Sequence, residues 1–161
     1  MRLAIAIAVL ALVARAEGGG GAAATCAYRG RLPDSRCTPG AIFAGAGATA
    51  ICRPGYSRSV RDVPAARKRR VYAEYGITRH PRGSYEVDHL VPLELGGSNS
   101  LANLWPQPAP DFHQKDALEN ALHRSVCARR MRLARAQRAI AHDWHAEWLR
   151  LGRPAQLGAR Q

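Results

Sequence analysis

The chain has 161 residues, of which 47% are hydrophobic and 22% are charged. This length fits one domain, is too short for a TIM barrel or a two-half dinucleotide-binding fold, and the composition is that of a globular protein. The 24 Lys and Arg residues outnumber the 12 Asp and Glu residues, which gives a net charge of +12. This excess indicates a polyanionic partner, nucleic acid first, or a GC-rich genome whose codons inflate Arg.

The N-terminus has the pattern of an export signal. A positive start precedes twelve apolar residues, Leu3 to Ala14. A membrane-spanning helix needs about 20 apolar residues, so this run is too short to span a bilayer. The triplet Ala14-Arg15-Ala16 fits the small-x-small rule for cleavage and predicts a signal peptide over 1–16, while a later cut would extend it to residue 24. An uncleaved membrane anchor is the alternative.

Export determines how both ends of the chain are interpreted. Cleavage predicts a secreted or periplasmic protein with no stable membrane association. Residues 17–24 are almost entirely Gly and Ala, and we expect a disordered linker there. Residues 152–161 are expected to form a flexible tail.

The four cysteines contain no Cys-x-x-Cys pair, which argues against a zinc knuckle. In an oxidising compartment an even number predicts two disulfides with three pairings open, the alternative being four free buried thiols. The segment 25–62 is rich in Cys, Gly and Pro, with turn signals at 38–40 and 53–56. It predicts an irregular, disulfide-pinned N-terminal lobe with one short strand around Ala48–Cys52.

The next segment has the signals of a helix. Asp62 is a capping residue and Pro64 follows in the first turn, so we predict a helix that runs to about Tyr75 and stops at Gly76. Four consecutive basic residues lie within it, namely Arg67, Lys68, Arg69 and Arg70. They cover most of the helix circumference, and are therefore either phosphate contacts or a solvated face.

Two strands and two helices follow in the sequence. Residues 85–91 have strand character, and a short second strand is predicted at 103–105, ended by Pro106. Helices are predicted at 111–126 and 133–151 from apolar residues at helical spacing. This order of elements predicts an α+β fold.

A specific motif occupies the first strand and the segments after it. Its parts are Tyr85-Glu86-Val87-Asp88-His89-Leu90-Val91-Pro92-Leu93, Gly96-Gly97-Ser98-Asn99, Asn103-Leu104-Trp105-Pro106 and His113-Gln114-Lys115-Asp116. The spacing of Asp-His-x-x-Pro-Leu, Gly-Gly and an Asn fourteen residues after the His resembles the HNH endonucleases, in particular their small exported bacterial members. The resemblance implies a ββα-metal finger with its core at 84–126, flanked by helices within a nuclease domain over 63–151.

The resemblance also implies roles for individual residues. His89 corresponds to the general base and Asp88 to a metal ligand. Asn103 corresponds to the residue that orients the loop carrying the base through a side-chain-to-backbone hydrogen bond. His113 corresponds to the second metal ligand after a one-residue insertion, and Asp116, one turn further along the same helix face, is an alternative oxygen ligand.

The chain departs from the family pattern at two points. Ala117 stands where many members have a further His, and the paired-cysteine zinc scaffold of other members is absent. In the exported members the readily recognised cysteines correspond to Cys52 and Cys127, which implies a Cys52–Cys127 disulfide and leaves Cys26 with Cys37.

Phosphodiester hydrolysis needs an activated water and a positive charge beside the phosphate. A histidine serves as base near neutral pH, and a divalent cation supplies the charge. A carboxylate with few imidazoles predicts Mg²⁺ first, with Mn²⁺, Zn²⁺ or Ni²⁺ as alternatives. Lys115 is a candidate phosphate contact. No sequence-reading module is recognisable, so we expect weakly specific binding to nucleic acid, DNA first.

The sequence is compatible with three functions. The first is an exported, metal-dependent endonuclease that cuts DNA with low sequence specificity. The second is a catalytically decayed HNH fold that only binds nucleic acid, as the shifted His113 and the missing further His allow. The third is a cationic secreted protein that acts on membranes or acidic glycans, for which charge alone speaks. The sequence predicts no oligomeric state.

Overall fold

The computed structural model describes residues 26–151. The predicted signal peptide, the linker at 17–24 and the tail at 152–161 lie outside these residues. The described part is a mixture of helices and a two-stranded antiparallel sheet, in agreement with the predicted α+β class. Its elements are α1 (Ala48–Ile51), α2 (Tyr56–Val60), α3 (Ala65–Glu74), β1 (Tyr85–His89), β2 (Leu104–Pro108), α4 (Phe112–Cys127) and α5 (Leu133–Arg150).

The two strands form a sheet that continues past the predicted end of the second strand. Asp88 lies opposite Trp105 and His89 lies opposite Leu104. Pro106 and Pro108 belong to β2, although we expected Pro106 to end it. Proline is tolerated at a sheet edge, where no neighbouring strand needs its missing N–H, and β2 has only one neighbour.

The hydrophobic core lies between the sheet and the last two helices. Helix α4 contributes its inward side and packs against α5, as the spacing of the apolar residues predicts. Trp105 of β2 is fully buried beneath them. The principal core residues of the two helices are Leu118, Leu122, Val126, Ala136, Ile140, Trp144 and Trp148. This packing fixes α4 behind the sheet and so determines which side chains of α4 reach the end of β1.

The N-terminal lobe contains a helical turn where we predicted a strand. The prediction at Ala48–Cys52 was wrong, since these residues form α1 and the Cys52 N–H donates to the Ala48 carbonyl. Alanine is the strongest helix former, and the segment is too short and too isolated to gain a strand partner. The lobe also packs on α3, where the Tyr75 hydroxyl accepts from the Asp34 N–H.

Two disulfides tie the lobe together and to α4. They join Cys26 to Cys37 and Cys52 to Cys127, the pairing that the family resemblance implies. Disulfides of this kind are typical of proteins from oxidising compartments. Within residues 26–151, no helix has the length and apolar character needed to cross a membrane.

Candidate functional site

The imidazole of His89 is held at the end of β1 by a side chain from the following loop. Its Nε2 lies 3.0 Å from Asn99 Oδ1, and Asn99 Nδ2 donates to the Val60 carbonyl at 2.7 Å. Because the amide nitrogen of Asn99 is used as a donor, its oxygen must accept, and His89 Nε2 must carry the hydrogen. In the neutral ring this tautomer leaves Nδ1 with a free lone pair. Nδ1 has no hydrogen-bond partner among the described residues.

Burial also keeps this ring neutral. His89 is only 3% exposed, and burial lowers its pKa below the ordinary value, against the opposing effects of the Asn99 hydrogen bond and the Asp88 charge. A neutral imidazole with a free nitrogen is the form in which histidine accepts a proton.

The side chain of Asn103 binds the backbone of the loop between the two strands. Its side-chain oxygen accepts from the Val91 N–H at 2.9 Å, and its Nδ2 donates to the Val91 and Ser98 carbonyls, each at 2.9 Å. The side chain is fully buried. Glycine at 97 allows the loop to close, because a Cβ there would lie 1.7 Å from the Val91 oxygen. The side chain of Asn103 therefore fixes the backbone two residues after His89.

Lys115 lies beneath the site, although we predicted that it contacts phosphate. It is fully buried, with Nζ 2.7 Å from Asp88 Oδ2, and it donates to the His89 carbonyl at 2.8 Å and to Glu119 Oε1. The core packing of α4 turns this face of the helix inward, so the ammonium cannot reach a ligand in solvent. Its positive charge is instead directed at Asp88 and Glu119.

These buried charges shift one another's pKa values. Burial lowers the pKa of Lys115, but the carboxylates of Asp88 and Glu119 together raise it by more. The pKa of Lys115 therefore lies above its ordinary value. Burial raises the pKa of Glu119 above its ordinary value, against the opposing charge of Lys115. Lys115 is therefore charged at neutral pH and serves as the counter-ion of Asp88.

Two further carboxylates lie in the electrostatic neighbourhood of Asp88. Burial and then the Asp88 charge raise the pKa of Asp116 on α4 and that of Glu86 on β1. His113 lies exposed in the first turn of α4, and its charge acts on Asp116. The structure thus places both predicted alternatives for the second ligand, His113 and Asp116, on the same helix end.

The oxygen donors around Asp88 fit a hard divalent cation. Asp88 Oδ2 is buried 2.7 Å from Lys115 Nζ, whereas the side chain as a whole is 18% exposed and is electrostatically coupled to Asp116 and Glu86. Mg²⁺ is typically bound through one or two carboxylates and keeps several waters. Around Asp88, no group of three described His, Cys, Asp or Glu residues brings its ligand atoms within 4.8 Å of one another. Water would therefore supply most of the ligands of an ion bound there.

A second group of potential metal ligands lies at the Cys52–Cys127 disulfide. His123 Nε2 is 3.4 Å from Cys127 Sγ, and the ligand atoms of Cys52, His123 and Cys127 lie within 4.8 Å of one another. The two sulfurs are bonded to each other. Because thiolates are the metal-binding form of cysteine, this group offers a metal only its imidazole while the disulfide is intact.

The basic residues near the site differ in whether their side chains are free to contact a ligand. Arg61, which follows α2, is exposed, and its charge acts on His89 and Glu86. In the predicted basic run, Arg67 donates to the Asp62 carbonyl and Arg70 pairs with Glu74 at 3.2 Å. Lys68 and Arg69 are exposed, and neither forms an ion pair with another described residue. Arg61 is thus an exposed basic residue that is electrostatically coupled to His89.

Sequence reasoning missed the roles of Asn99, Glu119 and Arg61. Asn99 belongs to the quoted motif, but its bond to Val60 spans 39 residues and leaves no local signal. Glu119 does have a local signal in the sequence, because it follows Lys115 by four residues, the spacing at which ion pairs form on a helix. Arg61 lies in a lobe that we treated as separate from the site.

Comparison with known proteins gives no match: no family model, curated protein or solved structure is significantly similar to this chain.

Proposed function

We propose that this chain is an exported, metal-dependent endonuclease of the HNH type that hydrolyses phosphodiester bonds in DNA with low sequence specificity. One observation carries the proposal. His89 presents a free Nδ1 at the end of β1, held by Asn99, while the side chain of the adjacent Asp88 is 18% exposed and is electrostatically coupled to Asp116 of α4. A base and a cation ligand on neighbouring residues are what water attack on a phosphate requires.

The order of elements supports the same proposal. β1 pairs with β2 in antiparallel fashion, and α4 follows directly and contacts the end of β1 through Lys115. This is the arrangement expected of a ββα-metal finger. The side-chain bonds of Asn103 to the loop agree with the role that the family resemblance gives it.

In the proposed reaction His89 Nδ1 accepts the proton of the attacking water, and Asn99 keeps the ring in the tautomer that can do so. Asp88, with Asp116 or His113 from α4, would hold Mg²⁺. The bound ion supplies positive charge for the phosphate and the leaving oxygen. Arg61, which is exposed and electrostatically coupled to His89, would contact the phosphate from solvent. By analogy with the family, the products are 5′-phosphate and 3′-hydroxyl ends.

A plasmid assay tests the proposal. Purified protein with Mg²⁺ or Mn²⁺ should convert supercoiled DNA to nicked and linear forms, and a chelator should stop the reaction. Loss of the general base in His89→Ala should lower the rate about 10²–10⁴-fold. His142→Ala, which changes an exposed histidine of α5, is the matched control and should cut like wild type. Equal rates for His89→Ala and wild type would contradict the mechanism.

The decayed, binding-only scaffold is the second candidate, and the surroundings of Asp88 favour it in one respect. Asp88 already has a buried ammonium as counter-ion, and His113 is exposed. This candidate predicts retention on DNA at low salt, no cleavage with any metal, and no heat of Mn²⁺ binding. Calorimetry with Mn²⁺ therefore distinguishes the two candidates without an activity assay.

A further inference from the structure

We propose that Lys115 is a positioning residue that competes with the divalent cation for Asp88 and thereby limits how tightly the site holds the ion. This inference rests on the proposed function, because it takes Asp88 as the cation ligand. It assigns a role to a lysine that the sequence alone places among the phosphate contacts.

The contacts of the ammonium group exclude a role at the phosphate. Nζ forms two hydrogen bonds, to the His89 carbonyl and to Glu119, and an ion pair with Asp88 at 2.7 Å. An ammonium has three N–H groups, so these three neighbours occupy all of them. With the side chain fully buried, no hydrogen of Nζ remains for a ligand.

The same contacts connect α4 to the end of β1. Glu119 lies one turn after Lys115 on α4, and the pair reaches across to the backbone of the residue that carries the base. Asp88 immediately precedes that residue on the strand. Lys115 therefore fixes the separation between Asp88 and α4, and with it the space in which a cation is bound.

The charge of Lys115 acts on any cation that approaches Asp88. A divalent ion on this carboxylate would lie within a few ångströms of a buried positive charge, where screening by solvent is weak. Removal of that charge should tighten Mn²⁺ binding by about tenfold or more. Loss of the hydrogen bond to the His89 carbonyl should at the same time loosen the base and lower turnover by about 10–100-fold. A purely structural defect would instead weaken metal binding and turnover together.

The chain offers a matched control. Its only other lysine, Lys68, is exposed on α3, so Lys68→Met removes the same charge from the surface. Mn²⁺ binding is measured by calorimetry on the full chain with intact disulfides, for wild type, Lys115→Met, Lys68→Met, Asp88→Asn and the double variant Lys115→Met/Asp88→Asn. We expect tighter binding in Lys115→Met, no change in Lys68→Met, and loss of the Lys115→Met effect in the Asp88→Asn background.

The outcomes separate this inference from the proposed function. If wild type binds Mn²⁺ through Asp88 but Lys115→Met binds it equally or more weakly, the inference is wrong and the nuclease proposal stands. If Asp88→Asn binds Mn²⁺ as wild type does, Asp88 is not the cation ligand. Both the role inferred for Lys115 and the metal site of the proposed nuclease are then wrong. An effect of Lys115→Met that persists with Asn at 88 overturns the competition between Lys115 and the ion.

A measurement on wild type covers the case in which Lys115→Met does not fold. In a crystal structure with Mn²⁺ bound at Asp88, competition predicts that Nζ has moved out of ion-pair range of Oδ2, from the 2.7 Å described here. An unchanged ion pair beside a bound Mn²⁺ would overturn the inference.

Discussion

At the scale of the residue, Asn99 fixes the tautomer of His89, and with it the free nitrogen that the proposed base needs. It receives the Nε2 hydrogen and is itself anchored on the Val60 carbonyl. Asn99→Ala removes the group that selects the tautomer, and we expect DNA cleavage to fall about 10–100-fold with little change in Mn²⁺ affinity. Plasmid cleavage and calorimetry on the same preparation check this split. Equal cleavage by Asn99→Ala and wild type would show that the ring needs no such support.

Gly97 is a residue whose replacement the loop should not tolerate. A Cβ at this position would overlap the Val91 backbone, so Gly97→Ala should force the Asn103 loop apart and destabilise the protein by several kcal/mol. Gly47→Ala is the matched control, because a Cβ there meets nothing within 4 Å and the backbone needs no positive φ. Urea unfolding of both variants measures the difference. Similar midpoints for the two would contradict the predicted overlap.

Asp34 makes the stability of the N-terminal lobe depend on pH. Hydrogen bonds from Arg36, and one from the Ala27 N–H, hold the pKa of this carboxyl well below its usual range. A lowered folded-state pKa gives stability that is present above the unfolded pKa of about 4 and lost as the pH falls towards the folded value. Asp34→Asn should therefore lower the stability at pH 7 and make it depend less on pH in the acid range. Asp62→Asn, at an exposed position, should leave both the stability and its pH dependence unchanged. Unfolding midpoints between pH 7 and pH 2 test this.

The residues of the site illustrate what a sequence can and cannot indicate. The roles of Asp88, His89 and Asn103 are predictions from the family resemblance, and that resemblance rests on motif spacing, which is a local property of the sequence. Lys115 was predicted to contact phosphate because of its charge, although Leu118 and Leu122 follow it by three and seven residues and place it on the buried side of α4. Its partner Asp88 lies 27 residues away, and only the packing of α4 on the sheet brings them together.

At the scale of the element, the predicted helices agree with the structure where the sequence carries apolar residues at helical spacing over several turns. Helices α4 and α5 end within a few residues of their predicted limits, because each has a run of apolar side chains at helical spacing. α3 also lies close to its predicted limits, because Pro64 and Gly76 mark its two ends. The four-residue α1 offers no such period, and there the predicted strand was wrong. β2 was predicted too short because its prolines signal an end in a central strand but not at an edge.

The Cys52–Cys127 disulfide connects α1 to the last turn of α4, across 75 residues of sequence. In the chain-entropy model a loop of this length contributes about 4 kcal/mol to stability, against about 3 kcal/mol for the loop of Cys26–Cys37. The double variant Cys52→Ser/Cys127→Ser should therefore unfold at a lower temperature than Cys26→Ser/Cys37→Ser. Calorimetric melting of both variants compares them, and the reverse order would contradict the ranking. Reduction of the wild type should abolish DNA cleavage if α4 needs this bond to hold the site.

At the scale of the whole molecule, the net charge of +12 predicts binding to DNA that weakens steeply with salt. If the exposed Lys68 and Arg69 of α3 contact phosphates, Lys68→Met/Arg69→Met should lower affinity and reduce the salt slope by about 2. Removal of two charges from α5, at Arg135 and Arg138, is the control for diffuse attraction. Fluorescence anisotropy with a labelled duplex at several salt concentrations gives the slopes. Equal changes in both double variants would show that binding does not use α3 as a defined surface.

The bond from Asn99 to Val60 has a consequence for how this molecule can be dissected. We predicted a lobe at 25–62 and a nuclease domain at 63–151, yet this hydrogen bond crosses the boundary and supports the ring on the far side. A truncated chain that starts after residue 62 would keep every residue of the motif and still lack the carbonyl on which Asn99 rests. The motif is therefore not an independent unit. A fragment must include the N-terminal lobe for His89 to keep its orientation.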